Sequence, residues 1–191
     1  MRTRTFLSLG LASCVAALTG CTTTSGGGSS DPADTRRKID AGVDAALHEL
    51  YAVAPGSREL VQSAKGVLVF PSVVSVGFMV GGSHGQGALR KSGLTTAYYT
   101  TSSASVGLLA GAETKAVYLL FMNQDSLAKF ETSKGWTVGA DASVTMLSLS
   151  ADAHIDSKTA QQPIIGLVRS KGGLMANLSL DGTKFNRIEN L

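Results

Sequence analysis

The stretch Lys65–Leu89, KGVLVFPSVVSVGFMVGGSHGQGAL, decides how this chain folds. It is rich in valine and poor in helix-favouring residues, which is typical of β-strands. Pro71 has no N–H to donate to a neighbouring strand, so we expect it to end the first apolar run, Val67–Phe70. The many glycines that follow predict bends, bulges or close backbone contacts inside strands. The stretch therefore predicts a strongly curved antiparallel sheet that begins here and continues through the rest of the chain.

The composition fits one folded domain preceded by a leader. The chain has 191 residues, of which 43% are hydrophobic and 16% are charged, so it can bury a sizeable core. The net charge of +3 includes Arg2 and Arg4, which lie in a segment that we expect to be removed. Without them, Lys+Arg falls from 17 to 15 against 14 acidic residues, a net of +1. A global basic field for nucleic acid is therefore not expected.

Residues 1–20 have the pattern of a bacterial lipoprotein signal peptide. Arg2 and Arg4 are followed by the apolar run Phe6–Leu18, which is too short to span a membrane. The sequence LTGC at Leu18–Cys21 resembles the lipobox, in which cleavage precedes the cysteine and its thiol takes a diacylglyceryl group. The alternative is an ordinary secretory signal followed by an incidental cysteine.

The lipobox resemblance implies a lipid anchor at Cys21 and acyl chains of the palmitate type. Each buried CH₂ contributes roughly 0.8 kcal/mol, so several chains give stable anchoring. Cys14 leaves with the leader, so no disulfide framework is expected. Thr22 differs from the Asp that resembles an inner-membrane retention signal, which favours a periplasm-facing lipoprotein of the outer membrane. Residues 21–30 then form the lipidated cysteine and a flexible Ser/Thr/Gly tether to a domain over 31–191.

The domain begins with a predicted amphipathic helix. Asp31 caps it and Pro32 fits its first turn. Its apolar positions follow helical spacing: Ile39, Val43, Ala46, Leu47, Leu50 and Ala54. Pro55-Gly56 ends it, and a second, shorter helix follows from Ser57 to about Ala64. The apolar face of the first helix either packs on the sheet or inserts into lipid, and the pattern leaves both open.

The remainder of the chain predicts more strands and one short helix. Asn123 caps that helix, with Leu127 and Phe130 facing inward. The predicted segments are strands Leu94–Ala110, Thr114–Met122 and Trp136–Ser150, a loop Ala151–Gln162, a strand pair Ile164–Ser170 and Gly173–Leu180 across Lys171-Gly172, and a final strand after a turn at Asp181-Gly182. The fold class is therefore α+β: a curved, mostly antiparallel, barrel-like sheet with two N-terminal helices and one short middle helix.

Four sequence blocks occur in the order that is typical of one family. They are AKGVLVFPSVVSVGFMVGGSHGQGAL, ASVGLLAGAETKAVYLLFMNQDSLAKF, WTVGADASV and RSKGGLMANLSLDG. With them the chain resembles a SYLF domain, a module of eukaryotic lipid- and actin-patch proteins that also occurs in bacterial lipoproteins. The resemblance covers roughly residues 35–190. It implies binding of membrane lipids, with phosphoinositides favoured by eukaryotic members; actin bundling belongs to the eukaryotic relatives.

Two motifs suggest a bound ion, each with a structural alternative. Gly82–Gly87, GSHGQG, is either a phosphate cradle of backbone N–H groups or a curved glycine segment. It lacks the signatures of a P-loop and of a dinucleotide site. Asp152, His154 and Asp156 alternate, so they either bind a metal such as Zn²⁺ or belong to a solvated loop. We favour the structural alternative in both cases and expect no metal or cofactor.

Enzymatic chemistry is not expected. Nucleophilic catalysis needs a Ser, Cys or Thr beside a base and an orienting group. The chain has no G-x-S-x-G motif and only three histidines. His84 next to Ser83 has no acid partner that the sequence makes visible.

Basic residues near strand ends are the candidates for lipid binding. They are Lys65, Arg90, Lys91, Lys134, Arg169 and Lys171. Strand ends meet at the rims of a curved sheet, and each Lys or Arg near an anionic surface contributes about 1 kcal/mol. The alternative is that these turn-borne cations are merely solvated.

The leading hypothesis is a non-catalytic, membrane-anchored lipoprotein whose domain binds phospholipids with anionic or phosphoinositide-type head groups. The alternative is a structural or protein-interaction module of the cell envelope that binds no head group. A protein partner in the envelope and the oligomeric state stay open, and no nucleic-acid partner is expected.

Overall fold

The computed structural model describes residues 31–149, 161–173 and 180–191. The expected leader (1–20), the lipidated Cys21 with its tether (21–30) and the Asp152/His154/Asp156 segment lie outside the described residues. The described elements are α1 (Pro32–Val53), α2 (Ser57–Ser63), β1 (Gly66–Lys91), β2 (Leu94–Phe121), α3 (Gln124–Thr132), β3 (Trp136–Thr137), β4 (Thr145–Ser148), β5 (Ile164–Gly173) and β6 (Lys184–Arg187). The predicted α+β class, with two N-terminal helices, one middle helix and a curled sheet, is confirmed.

The helices begin where their capping residues predict. The Asp31 carboxylate accepts a hydrogen bond from the Ala33 N–H at 2.9 Å, and the Asn123 side chain accepts one from Ser126 N–H at 2.8 Å. Both satisfy N–H groups that have no partner inside the helix. The α1 face that is buried against the sheet is Ile39, Val43, Ala46 and Leu50. Of the two alternatives for this helix, the structure therefore shows packing on the sheet.

β1 and β2 form one long antiparallel ribbon. It pairs from Gly66↔Phe121 to Lys91↔Leu94 and turns through Ser92 and Gly93, both with positive φ, as a two-residue hairpin turn requires. The prediction that Pro71 ends a strand is wrong. β1 continues through a register shift between Phe70 and Val73. Among the described residues β1 pairs with β2 alone, and a bulge in such an edge strand tolerates a residue without N–H.

Three further boundaries differ from the sequence prediction. The two predicted strands 94–110 and 114–122 form the single strand β2. The predicted strand 136–150 is divided into β3 and β4 by a turn at Gly139, which has φ +87°. Lys171-Gly172 does not turn: β5 runs on to Gly173 and pairs with Glu113. β4 pairs with β5 in parallel, so the described sheet is mixed.

The ribbon bends because the two halves of β2 have different second partners. Glu113–Phe121 pairs with β5, whereas Tyr99–Ser102 pairs with β6. β1 follows β2 through the bend, and the ribbon folds back on itself. The predicted turn at Asp181-Gly182 and the final strand β6, which pairs with β2 and β3, are confirmed.

The two halves of β1 touch at glycines. A Cβ on Gly87 would overlap the Val69 carbonyl oxygen, and a Cβ on Gly85 would lie 2.8 Å from the Ser72 carbonyl oxygen. Only glycine permits backbones to approach this closely. The Gly82–Gly87 segment is extended and paired with β2, as the curved-segment alternative predicts.

The curled sheet has an apolar core on each face. The inner core, enclosed by the ribbon and α3, includes Phe70, Tyr99, Phe121, Phe130, Trp136 and Phe185. The outer core, under α1 and α2, includes Val43, Leu50, Val69, Tyr118, Leu120 and Ile165. The Tyr118 hydroxyl donates to the Ala46 carbonyl oxygen at 2.9 Å, which fixes α1 on the sheet.

The glycine contact predicts an unequal cost for two similar substitutions in β1. Gly87→Ala should lower the free energy of unfolding by about 3 kcal/mol or more, because the new methyl group meets a backbone carbonyl that cannot move aside. Gly82→Ala is the matched control: its Cβ would lie 3.5 Å from the Ser103 oxygen, an ordinary contact, so the change should stay within about 0.5 kcal/mol. Urea unfolding measures both, and equal costs would contradict the close crossing.

Tyr118 predicts a pH dependence of stability. Burial raises the pKa of Tyr118 from 10.0 to about 12. The Glu49 carboxylate adds a smaller increase, and Arg169 opposes it. Below pH 10 the phenol is neutral in both states, so its contribution is fully present. Between about pH 10 and 12 the unfolded state loses the proton first, and the free energy of unfolding falls as pH rises.

The comparison with Tyr118→Phe isolates this effect from the other tyrosines. The stability difference between the unsubstituted chain and the variant should shrink by about 1.3 kcal/mol from pH 9 to pH 11. Urea unfolding at the two pH values measures it. A stability difference that is the same at both pH values would show that the Tyr118 hydroxyl is not held neutral by the fold.

Candidate functional site

Large apolar side chains are exposed together at the bend of the β1–β2 ribbon. We call residues 74–80 the apolar bend. The side chains and their exposed fractions are Val74 47%, Val76 55%, Phe78 76%, Met79 61% and Val80 65%. Single exposed apolar residues are ordinary, but a contiguous patch of this kind marks a surface that contacts a partner or a membrane.

The backbone explains why these side chains share one face. Val74, Val76 and Phe78 alternate along β1 and point outward, away from the inner core. Met79 has φ 61°, and the ribbon register shifts between Phe78 and Val80. Val80 keeps the two-residue alternation of Val76 and Phe78 across this irregularity and is exposed as well.

The inner face at the same place is polar. Glu113 and Lys115 alternate with Val117 along β2, and both are buried, at 4% and 6% exposure. Across the ribbon the Ser83 and Ser103 hydroxyls lie 2.7 Å apart in a hydrogen bond. The ribbon is therefore apolar outside and polar inside at the bend, whereas both of its faces are apolar where α1 and the inner core cover it.

The two charged side chains at the bend are buried near each other. Burial lowers the pKa of Lys115, and the nearby Glu113 carboxylate opposes that shift. Glu113 Oε2 is buried without a hydrogen-bond partner among the described residues. Burial of a charged group costs free energy unless it is compensated by partners.

Two of the predicted lipid-binding residues meet beside the bend. Lys171 Nζ lies 3.2 Å from Glu49 Oε2, and Arg169 pairs with the other oxygen of the same carboxylate. Burial alone would raise the pKa of Glu49, but its bonds to Lys171 and Arg169 hold that pKa below its ordinary value. Two cations share one carboxylate, so the cluster keeps one positive charge.

Two others lie at the opposite end of the ribbon and are neutralised. Arg90 Nη2 lies 2.9 Å from Asp44 Oδ1 and 3.5 Å from Asp40 Oδ1. Lys91 Nζ lies 2.7 Å from Glu131 Oε1. These contacts join the hairpin end to α1 and α3, which gives both residues a structural role.

The last two, Lys65 and Lys134, are exposed and form no ion pair within the described part of the chain. The six candidates thus occupy separate places, with Arg169 and Lys171 together, and lipid binding by any of them stays a prediction. The register places the Arg169–Lys171 pair near the base of the bend: Val74 pairs with Thr114, which pairs with Gly172.

Sequence reasoning missed the apolar bend, although one signal of it is present. No Asp or Glu occurs between Glu59 and Glu113. A half-buried strand in water usually alternates apolar residues with charged ones on the solvent face. A long ribbon that has no carboxylate before the buried Glu113 therefore indicates an outer face that carries no negative charge.

Two classes of site are not found among the described residues. Within 31–149, 161–173 and 180–191 no group of three or more His, Cys, Asp or Glu side chains is placed to hold a metal ion. In that same part of the chain, no helix has both the length and the apolar character needed to cross a membrane.

Comparison with known proteins agrees with the resemblance noted in the sequence. The model of the family described as Ysc84, Las17-binding protein actin regulator, matches residues 102–190, which include most of β2, α3 and the described strands β3 to β6. No curated protein matches the chain. The family is associated with lipid binding and with actin-patch roles. The match over residues 102–190, together with the curled α+β fold around it, supports the resemblance of the chain to the SYLF domain family.

Proposed function

We propose that this domain binds phospholipid membranes without covalent chemistry, through the outer face of the apolar bend. The observation that supports it most is the exposure of Phe78 and its four apolar neighbours. Full burial of a side chain of this size contributes about 1.5–3 kcal/mol. Five such side chains together contribute about 7–15 kcal/mol before an association cost of about 4 kcal/mol or more, which leaves a weak but measurable membrane affinity.

The charges near the bend favour anionic lipid moderately. The Arg169–Lys171–Glu49 cluster keeps one positive charge, and the chain between Glu59 and Glu113 adds no carboxylate. One unit charge near an anionic surface contributes about 1 kcal/mol, roughly a fivefold change in affinity. Anionic and phosphoinositide-type head groups would therefore be preferred, while most of the binding would come from apolar contact.

The proposal extends to the expected anchor. Acylation of Cys21 would hold the protein on the periplasmic face of the outer membrane, and a tether of about ten residues spans roughly 17 Å on average. At that distance the domain meets the same membrane at a high local concentration, so a weak affinity of the domain itself suffices. This part of the proposal is supported by the sequence pattern of residues 1–30.

Liposome flotation of residues 31–191 tests the proposal. This part contains all residues of both apolar cores and lacks Cys21. We expect flotation with zwitterionic vesicles, about fivefold stronger binding to anionic vesicles at low salt, and substantial binding that survives high salt. Absence of flotation with every vesicle would contradict the proposal and favour a protein-interaction module held on the membrane by Cys21 alone.

Glu49→Gln sharpens the electrostatic part of this test. The substitution leaves Arg169 and Lys171 without their shared carboxylate, so binding to anionic vesicles should rise about fivefold at low salt and remain unchanged at high salt. Glu59→Gln, in the first turn of α2, is the control because it removes the same charge from an exposed carboxylate outside this cluster. An equal gain in both variants would show that only the net charge matters.

A further inference from the structure

We propose that the apolar bend enters the acyl-chain region of the bilayer, with Arg169 and Lys171 at the level of the lipid phosphates. This inference rests on the proposed function, and it adds the depth of insertion into the bilayer and the element that inserts. The occupant of the apolar outer face is thus the upper hydrocarbon of one leaflet.

The reversed polarity of the bend is the first argument. Val76 and Phe78 are exposed on the outside, whereas Glu113 and Lys115 are buried on the inside. In water the opposite arrangement is favoured, because apolar surface is removed from solvent and charges remain in it. In hydrocarbon the observed arrangement is favoured, because the lipid covers the apolar side chains and the ribbon shields the charges.

The distribution of charge is the second argument. A surface that enters a bilayer must not carry carboxylates, since phosphates repel them and hydrocarbon does not solvate them. None occurs along β1 or along β2 before Glu113, whose carboxylate is on the inner face. The positively charged pair lies at the base of the bend, where a head group would be.

The register supplies the third argument, a depth. Gly172 is level with Val74 across the sheet, so Lys171 marks that level. Phe78 lies four residues farther along β1, at most about 13 Å beyond at 3.3 Å per residue. The head-group layer is about 5–8 Å thick on each side of the bilayer. With Lys171 at the phosphates, Phe78 therefore reaches at most roughly 5–8 Å into the hydrocarbon.

The backbone at the bend is compatible with this depth. Gly77 pairs with Gly111, and Phe78 pairs with Ala110. The backbone N–H and C=O groups that face each other across the ribbon are therefore already hydrogen-bonded within the ribbon when the bend meets the lipid. A paired ribbon loses less free energy on leaving water than a single extended segment would.

Depth-dependent fluorescence quenching tests the inference. Trp136 is the chain's one tryptophan and is buried at 3% exposure, so it reports no lipid contact. Phe78→Trp adds a probe at the bend, and Leu94→Trp adds one at the exposed hairpin end of the same ribbon. Each form of residues 31–191 is bound to vesicles that carry a nitroxide in the head group, the upper chain or the deep chain.

We expect the upper-chain nitroxide to quench Phe78→Trp more strongly than either of the other labels does. The unsubstituted chain and Leu94→Trp should show no such quenching. Strongest quenching of Phe78→Trp by the head-group label, or quenching of Leu94→Trp instead, would overturn the insertion while leaving membrane binding intact. Failure of all three proteins to float would instead contradict the proposed function itself.

A paired substitution separates lipid from a second copy of the chain as the occupant. Phe78→Ser with Val80→Ser removes two exposed apolar side chains, so it should weaken vesicle binding at least tenfold and leave the free energy of unfolding nearly unchanged. Size-exclusion chromatography of the unsubstituted domain should give a monomer without vesicles. A dimer that the two substitutions dissociate, with vesicle binding unchanged, would show that the bend covers another copy and would overturn the inference.

Discussion

The close crossing of the two halves of β1 is the constraint on which the rest of the structure depends. Gly85 and Gly87 lie against the carbonyl oxygens of Ser72 and Val69, with no room for a Cβ. That contact folds the 26-residue strand back on itself and encloses the inner aromatic core. It also produces the sharp bend within the ribbon at which the apolar side chains are exposed. The glycines thus produce both the core and the surface that we assign to lipid.

Much of the fold could be predicted from local sequence. Asp31 and Asn123 mark helix starts, helical spacing defines the buried face of α1, and valine with glycine indicates a curved sheet. These features depend on neighbouring residues, so a single sequence reveals them. The strand ends could not be predicted in the same way. Pro71 and Lys171-Gly172 have local turn character, but pairing along β2 overrides it, and pairing is determined by residues far apart in the chain.

The site was harder to predict than the fold for the same reason. The cations Arg90, Lys91 and Arg169 are visible in the sequence, but their carboxylate partners are 40 to 120 residues away along the chain. Val76 lies on the outer face of the ribbon, and the curl of the ribbon determines that the inner face is the buried one there. Only the absence of Asp and Glu between Glu59 and Glu113 was available in advance.

The structure also changes which element is expected to meet the membrane. The apolar face of α1 is occupied by the sheet, whereas the apolar bend has no cover among the described residues. Hydrogen–deuterium exchange with and without anionic vesicles tests this assignment most directly. The account predicts slower exchange of β1 amides between Val74 and Gly82, with α1 amides between Ile39 and Leu50 unchanged. Unchanged exchange at the bend together with altered exchange in α1 would contradict it, because the helix would then be the element that leaves the sheet for the lipid.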